Sequence, residues 1–230
     1  RSKLSNFLSC KRCFYLDRVV GLKEPSMPGW ALNSTVDELL KKEFDQYRRE
    51  QKPHPIMIKH NLDFVPFRHK DLELWRNSLK GGISYLDKKT NLIIHGGIDD
   101  IWFDLKKKKL VVVDYKAQST NYPITIQSYL NSEWHLGYKL QMDIYVHILR
   151  KMNFDVSEMS YFYVCNGEKT NTKFDNKMDF KTTLVPYEVD TSWVEDKLSE
   201  MKQVLNLDTP PDIVSTCEKC AYLKGGKNYF

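Results

Sequence analysis

Leu110-Val111-Val112-Val113-Asp114-Tyr115-Lys116 decides the fold. A continuous apolar run closed by charged residues is the pattern of a strand buried on both faces. The polar run Lys106 to Lys109 before it fits a hairpin turn. Two further β-type runs, Leu92-Ile93-Ile94 and Ile98 to Phe103, lie upstream, the first leading into Gly96-Gly97. Beyond the central run, Trp134 to Met152 reads as a helix with Leu140, Ile144, Ile148 and Leu149 on one face. Met159 to Val164 and Thr182 to Tyr187 read as strands, and Trp193 to Leu205 as an amphipathic helix. At the other end, Ser2 to Val20 fits a short helix, and Pro25, Pro28 and Gly29 break the chain. Leu32 to Arg49 is a helix with Leu32, Val36, Leu39, Leu40 and Phe44 at its apolar spacing and Asn33 or Ser34 as its cap. Residues 51–90, cut by Pro53, Pro55 and Pro66, form an irregular or helical insertion with a helix from Leu72 to Leu79 ended by Gly81-Gly82. The order predicts an α/β domain over 1–230, a central mixed β-sheet flanked by helices.

Composition agrees with a folded core. Of 230 residues, 41% are hydrophobic and 28% charged, which excludes a disordered chain. No apolar run approaches the ~18 residues of a membrane span. The chain opens on Arg1 without a charged-then-apolar leader, so a cytoplasmic protein is expected. Lys plus Arg minus Asp plus Glu is 35 − 30 = +5, a balance that permits a nucleic-acid partner without requiring one.

Asp99 and Asp114 stand at hairpin distance, 15 residues apart, and come side by side if the two strands pair. Two close carboxylates repel and favour a divalent cation between them. Alternation along a strand points Asp114 and Lys116 the same way. A cation on two carboxylates beside an ammonium is a hydrolytic arrangement. It activates water, while the lysine orients or deprotonates that water or stabilises charge on a phosphate. An isolated D-x-K arises often by chance. Here it follows a buried run, is preceded by Gly96-Gly97-Ile98-Asp99, and is followed by Gln141-x-x-x-Tyr145 on a helix.

With those motifs in order, the sequence resembles the PD-(D/E)XK nuclease superfamily in its RecB-like branch, which includes the exonucleases associated with CRISPR adaptation. Ser2 to Leu16 resembles that branch's opening helix, Gly96 to Asp99 its G-x-I-D motif, Val113 to Lys116 its D-Y-K motif, and Gln141 and Tyr145 its Q-x-x-x-Y motif. The resemblance implies a restriction-endonuclease-like core and a DNA nuclease. It implies Mg²⁺ or Mn²⁺ on Asp99, Asp114 and the Tyr115 carbonyl, Lys116 as the catalytic lysine, and Gln141 and Tyr145 positioning the DNA strand or the lysine. Asp37 stands where many members carry a metal-binding His. It is either a further carboxylate ligand or an acidic residue favoured in a helix's first turns.

Cys10-x-x-Cys13 near the start and Cys217-x-x-Cys220 near the end make a potential four-thiolate site stapling the two ends. Two chance pairs are the plainer alternative. The two-plus-two spacing suits Zn²⁺. The family resemblance implies an iron–sulfur cluster instead, although the third C-terminal position of its cysteine pattern falls on Gly226 and Cys13 would supply the fourth thiolate. Iron–sulfur is the expectation and Zn²⁺ the alternative. Cys165 reads as an ordinary buried thiol.

Lys11, Arg12, Arg18 and Lys139 are the candidate DNA contacts, and the Lys106 to Lys109 turn reads as a solvated one. The alternatives to a free-standing nuclease are a non-catalytic DNA-binding module and a nuclease subunit of a larger helicase–nuclease or CRISPR adaptation complex. The chain itself has no G-x-x-x-x-G-K-[ST] motif, so any helicase would be another protein.

Overall fold

The computed structural model describes residues 2–25 and 29–226, so the break assigned to Pro28 lies outside the described residues. The chain divides into two compact units. The larger takes Gly29–Tyr85 and His95–Thr191 and contains the sheet. The other takes the described parts of Arg1–Pro28, Leu86–Ile94 and Ser192–Phe230.

In the larger unit, α3 (Ala31–Glu50) is followed by α4 (Pro55–Lys59), β1 (Phe64–Pro66) and α5 (Leu72–Arg76). Then come β4 (Asp100–Asp104), β5 (Lys109–Gln118), α6 (Ile126–Leu130), α7 (Leu136–Lys151), β6 (Met159–Gly167) and β7 (Phe180–Glu188). The short hairpin of β2 (Ile83–Asp87) and β3 (Leu92–Gly96) has its tip in the other unit. The five-stranded sheet runs β1-β4-β5-β6-β7, with β5 and β6 parallel and the other neighbours antiparallel. It is the mixed sheet flanked by helices that the sequence predicts. The parallel pair needs a crossover, and α6 and α7 supply it.

β5 is central and buried through Leu110 to Tyr115, as its apolar run requires. One face packs on α3, where Phe44 lies 5.5 Å from Trp102, 5.6 Å from Tyr115 and 5.9 Å from Tyr163, ring centre to ring centre. The other face meets α7, in which every residue from Gln141 to Leu149 is buried. The α3 pattern needs two corrections. Leu32 and Leu39 are exposed, and the buried stripe runs Leu40, Phe44, Arg48 at four-residue spacing with Val36 partly buried. The cap is Trp30 without a side-chain bond, one turn before the Asn33 and Ser34 expected. Asn33 instead donates to the Ala117 carbonyl at 3.1 Å.

The lysine turn before β5 is held by Asp104, whose Oδ1 accepts from the N–H groups of Lys106 and Lys107 at 2.9 and 2.8 Å. It is a fastened turn, consistent with the solvated reading.

The other unit comprises α1 (Ser2–Ser9), α2 (Lys11–Tyr15), a π-helical turn (Leu16–Val20), the hairpin tip, α8 (Val194–Leu205) and α9 (Glu218–Gly226). Leu4, Phe7, Phe14, Leu198 and Val204 are among its buried apolar residues. Among the described residues, no helix is long and apolar enough to cross a membrane.

Candidate active site

The antiparallel register of β4 and β5 pairs Asp100 with Val113, and its continuation sets Asp99 opposite Asp114. Asp99 occupies the bend that enters β4, and its Oδ2 accepts from the Tyr115 N–H at 2.9 Å. Asp114 is 1% exposed at the side chain, whereas Asp99 keeps 22% and Asp37 29%, so the site is closed behind Asp114 and open on the Asp99 and Asp37 side. Lys116 extends from the same strand face and ion-pairs with Asp114 Oδ2. Its ammonium lies 4.6 Å from the Tyr138 ring centre. Gln141, on α7, donates from Nε2 to Asp114 Oδ1 at 2.7 Å and to the Tyr145 hydroxyl at 3.0 Å. The four-residue spacing of Gln141 and Tyr145 is the helical repeat that lets them touch.

Asp37 enters from α3. Its Oδ2 takes the Lys41 ammonium at 2.5 Å, and Lys41 also reaches Asp99 Oδ1 at 3.9 Å. The Asp37 Oδ1 is buried without a hydrogen-bond partner. Burial, then the repulsion of Asp114, pushes the Asp99 carboxyl up to about 7. Asp37 is raised by burial and by Asp99. For Lys116 burial opposes the charge, but Asp114 and Asp99 outweigh it and the ammonium titrates above the ordinary lysine range. Crowded carboxylates short of positive charge, one with an orphaned oxygen, fit a hard divalent cation. The three carboxylates are not gathered into a preformed cage. Among the described residues, the only group of three or more candidate ligand atoms within 4.8 Å of one another is the cysteine set.

The residue beside Asp99 turns the other way. Asp100 is fully buried and ion-pairs with Arg48 and with Arg76, the latter at 3.2 Å, while accepting from the Tyr115 hydroxyl at 2.7 Å. Arg76 also binds Asp45 at 2.9 Å and donates from Nε to the Asp99 carbonyl at 3.2 Å. The Ile98 N–H donates to the Trp75 carbonyl at 3.1 Å. Gly97 is required there, since a Cβ would stand 2.9 Å from the Arg76 carbonyl oxygen. Helix α5 thus fixes the backbone that carries Asp99. Sequence reading missed Lys41, Arg48, Arg76, Asp100 and Tyr138. Only Lys41 had a local signal, its spacing of four from Asp37 on a helix.

In the other unit, Cys10 precedes α2, Cys13 lies within it, Cys217 precedes α9 and Cys220 lies in its first turn. Their sulfurs all fall within 4.8 Å of one another. Bonding to the Cys220 N–H lowers Cys217 to about 7, while burial pushes Cys13 well above the thiol range. Cys165 is buried in β6, away from this group in the chain, and burial raises it to about 11. Of the candidate DNA contacts, Lys11 pairs with Glu200 at 3.0 Å, Arg12 donates to the Pro211 carbonyl at 2.8 Å, and Lys139 to the Leu130 carbonyl at 2.9 Å.

Comparison with known proteins places this geometry. No curated protein matches the chain significantly. A solved structure from Eubacterium rectale, provisionally described as an exonuclease, aligns over 96% of this chain and 86% of its own, with 13% identity and a TM-score of 0.41. That likeness is loose, and the assignment rests on sequence: residues 27–224 match the PD-(D/E)XK nuclease superfamily, a span holding Asp37, Asp99, Asp114, Lys116, Gln141 and Tyr145. The chain therefore belongs to the PD-(D/E)XK nuclease superfamily.

Proposed function

We propose that this nuclease hydrolyses phosphodiester bonds of DNA, with Mg²⁺ or Mn²⁺ held by Asp99, Asp114, Asp37 and the Tyr115 carbonyl. The observation that carries the reading is the facing pair Asp99 and Asp114 with the Lys116 ammonium on Asp114. Such an ion would supply Lewis acidity and lower the pKa of water at the site. Asp114 and Asp99 hold the Lys116 ammonium above the ordinary lysine range, and this positive charge beside the carboxylates orients water and stabilises the charge growing on the phosphate. Gln141 uses amide hydrogens on Asp114 and Tyr145, which holds the buried carboxylate in one orientation. Water attacks phosphorus in line and gives up its proton to solvent, the bond to the leaving oxygen breaks, and solvent protonates that oxygen. The motifs that resemble the RecB-like branch support a nucleic-acid substrate of this kind, and the +5 charge permits it.

The test is cleavage of end-labelled linear and closed circular DNA, beside RNA of the same sequence, in Mg²⁺, Mn²⁺ or chelator. Metal-dependent loss of DNA label is expected. DNA left intact in both metals, or cut equally in chelator, overturns the proposal.

A further inference from the structure

We infer that Cys10, Cys13, Cys217 and Cys220 hold one tetrahedral metal ion of the zinc class, not the iron–sulfur cluster the family resemblance implies, and that this ion fixes α9 within its unit. The inference is independent of the nuclease reading, since none of the four cysteines belongs to the carboxylate site.

The sulfur separations distinguish the two metal centres. Cys10 to Cys220, Cys13 to Cys217 and Cys13 to Cys220 are each 3.6 Å. A single ion with a Zn–S bond of about 2.3 Å sets the edges of its sulfur tetrahedron at about 3.8 Å. A four-iron cluster takes one thiolate at each iron and so holds the sulfurs much further apart, at roughly 6 Å. The observed set, all within 4.8 Å, has room for one ion and not for a cubane. All four thiols are free of disulfides.

The ligand pattern agrees. Each C-x-x-C pair sits at the start of a helix, one sulfur before the first turn and one inside it, so each helix end offers two ligands to one point. The Cys13 N–H lies 3.5 Å from the Cys10 sulfur, the kind of backbone contact that supports a metal-bound thiolate. Four thiolates on a dication leave a double negative charge. The open cavity of about 660 Å³ against Cys10, Cys13 and Cys217 carries four cations, Lys3, Arg18, Lys23 and Lys219, against three carboxylates, and so offsets only part of that charge.

Among the described residues, helix α9 buries little. Cys220 is its only buried residue, and Ala221 to Gly225 are exposed. The Lys219–Glu24 pair at 2.6 Å is a surface contact, and such pairs contribute little. Among the described residues, apolar burial contributes little to the seating of α9, and metal–thiolate bonding would supply what it lacks.

The full chain, purified both in air and anaerobically from iron-supplemented cells, should contain about one zinc per chain and no acid-labile sulfide, and be colourless. Exchange with Co²⁺ should give the intense thiolate charge-transfer and visible d–d bands of a tetrahedral cobalt thiolate site. This readout needs no mutant. Cys217→Ser should lose most of its zinc and melt at lower temperature. About four irons with sulfide per chain, and a broad visible absorption bleached by dithionite, would overturn the assignment. So would a metal-free protein whose four thiols all react freely with a thiol reagent, or a cobalt spectrum of octahedral type.

Discussion

A carboxylate that titrates near neutrality, as Asp99 does at about 7 through burial and the nearby Asp114, ties metal binding to pH. Its native value lies above the unfolded one. The stability it contributes is therefore complete below about pH 4 and is lost as pH rises through about 7. The metal-free protein should accordingly lose melting temperature between pH 5 and 8, and Mg²⁺ should restore several degrees at pH 8 but little at pH 5, where proton and metal compete. Calorimetry across that range with and without Mg²⁺ checks it; an equal Mg²⁺ effect at both pH values contradicts it. At Lys116 the expected outcome is catalytic. Lys116→Ala should lower the cleavage rate by about 10²–10⁴-fold at saturating Mg²⁺. It also strips the ammonium from a carboxylate only 1% exposed, so its melting temperature should fall without Mg²⁺ and largely recover with it. Wild-type cleavage in that variant would remove Lys116 from the site.

Among the elements, α5 is the unexpected contributor. It is one short helix, Leu72–Arg76, yet its last residue grips Asp45, Asp100 and the Asp99 carbonyl. Arg76→Ala leaves Asp100, fully buried, with one fewer cation, a change that typically costs about 3–5 kcal/mol. Its melting temperature should drop by several degrees, and cleavage should fall further than the unfolded fraction explains, because Asp99 loses its backbone anchor. Arg76→Lys keeps the charge but not the fork, so it should recover part of the stability and less of the activity. Denaturation curves and rates measured on the same samples separate the two effects. The sequence made the β4–β5 hairpin and the Asp114–Lys116 alternation legible, because both follow from local period and register. It did not show that Asp100 turns to two arginines while Asp99 turns to the site: two adjacent aspartates look alike until the face of the strand is known. Nor did it reveal α5 in that role. Elements of three to five residues, such as α4 and β1, carry too few periods to read; the helix expected over Leu72 to Leu79 is present but ends at Arg76, and its role was hidden because the Arg76–Asp45 pair spans 31 residues.

At the scale of the whole molecule, the chain passes between its two units four times, at 28/29, 85/86, 94/95 and 191/192. The smaller unit is therefore assembled from three separated segments. The paired C-x-x-C spacing pointed to the meeting of the two ends, since ligands some 200 residues apart are pointless otherwise, but not to the third segment at Leu86–Ile94. Which metal the four cysteines suit was not legible, because that depends on sulfur separations that spacing does not fix. The two units also differ in what holds them. The larger buries a continuous sheet core from Trp102 to Leu184 and the other buries Leu4, Phe7, Phe14 and Leu198, but within that unit α9 buries only Cys220. Stripping the cysteine-bound metal should then act locally. In hydrogen exchange, amides of α2 and α9 should lose protection on treatment with a strong zinc chelator, while β4, β5 and β6 keep theirs. Unchanged protection in α9 would show that the thiolates do not seat it. Equal loss through β5 and β6 would show that the metal governs the entire fold, since a sheet whose core is filled by Phe44, Trp102 and Tyr163 has no local reason to open when thiolates of the other unit are released.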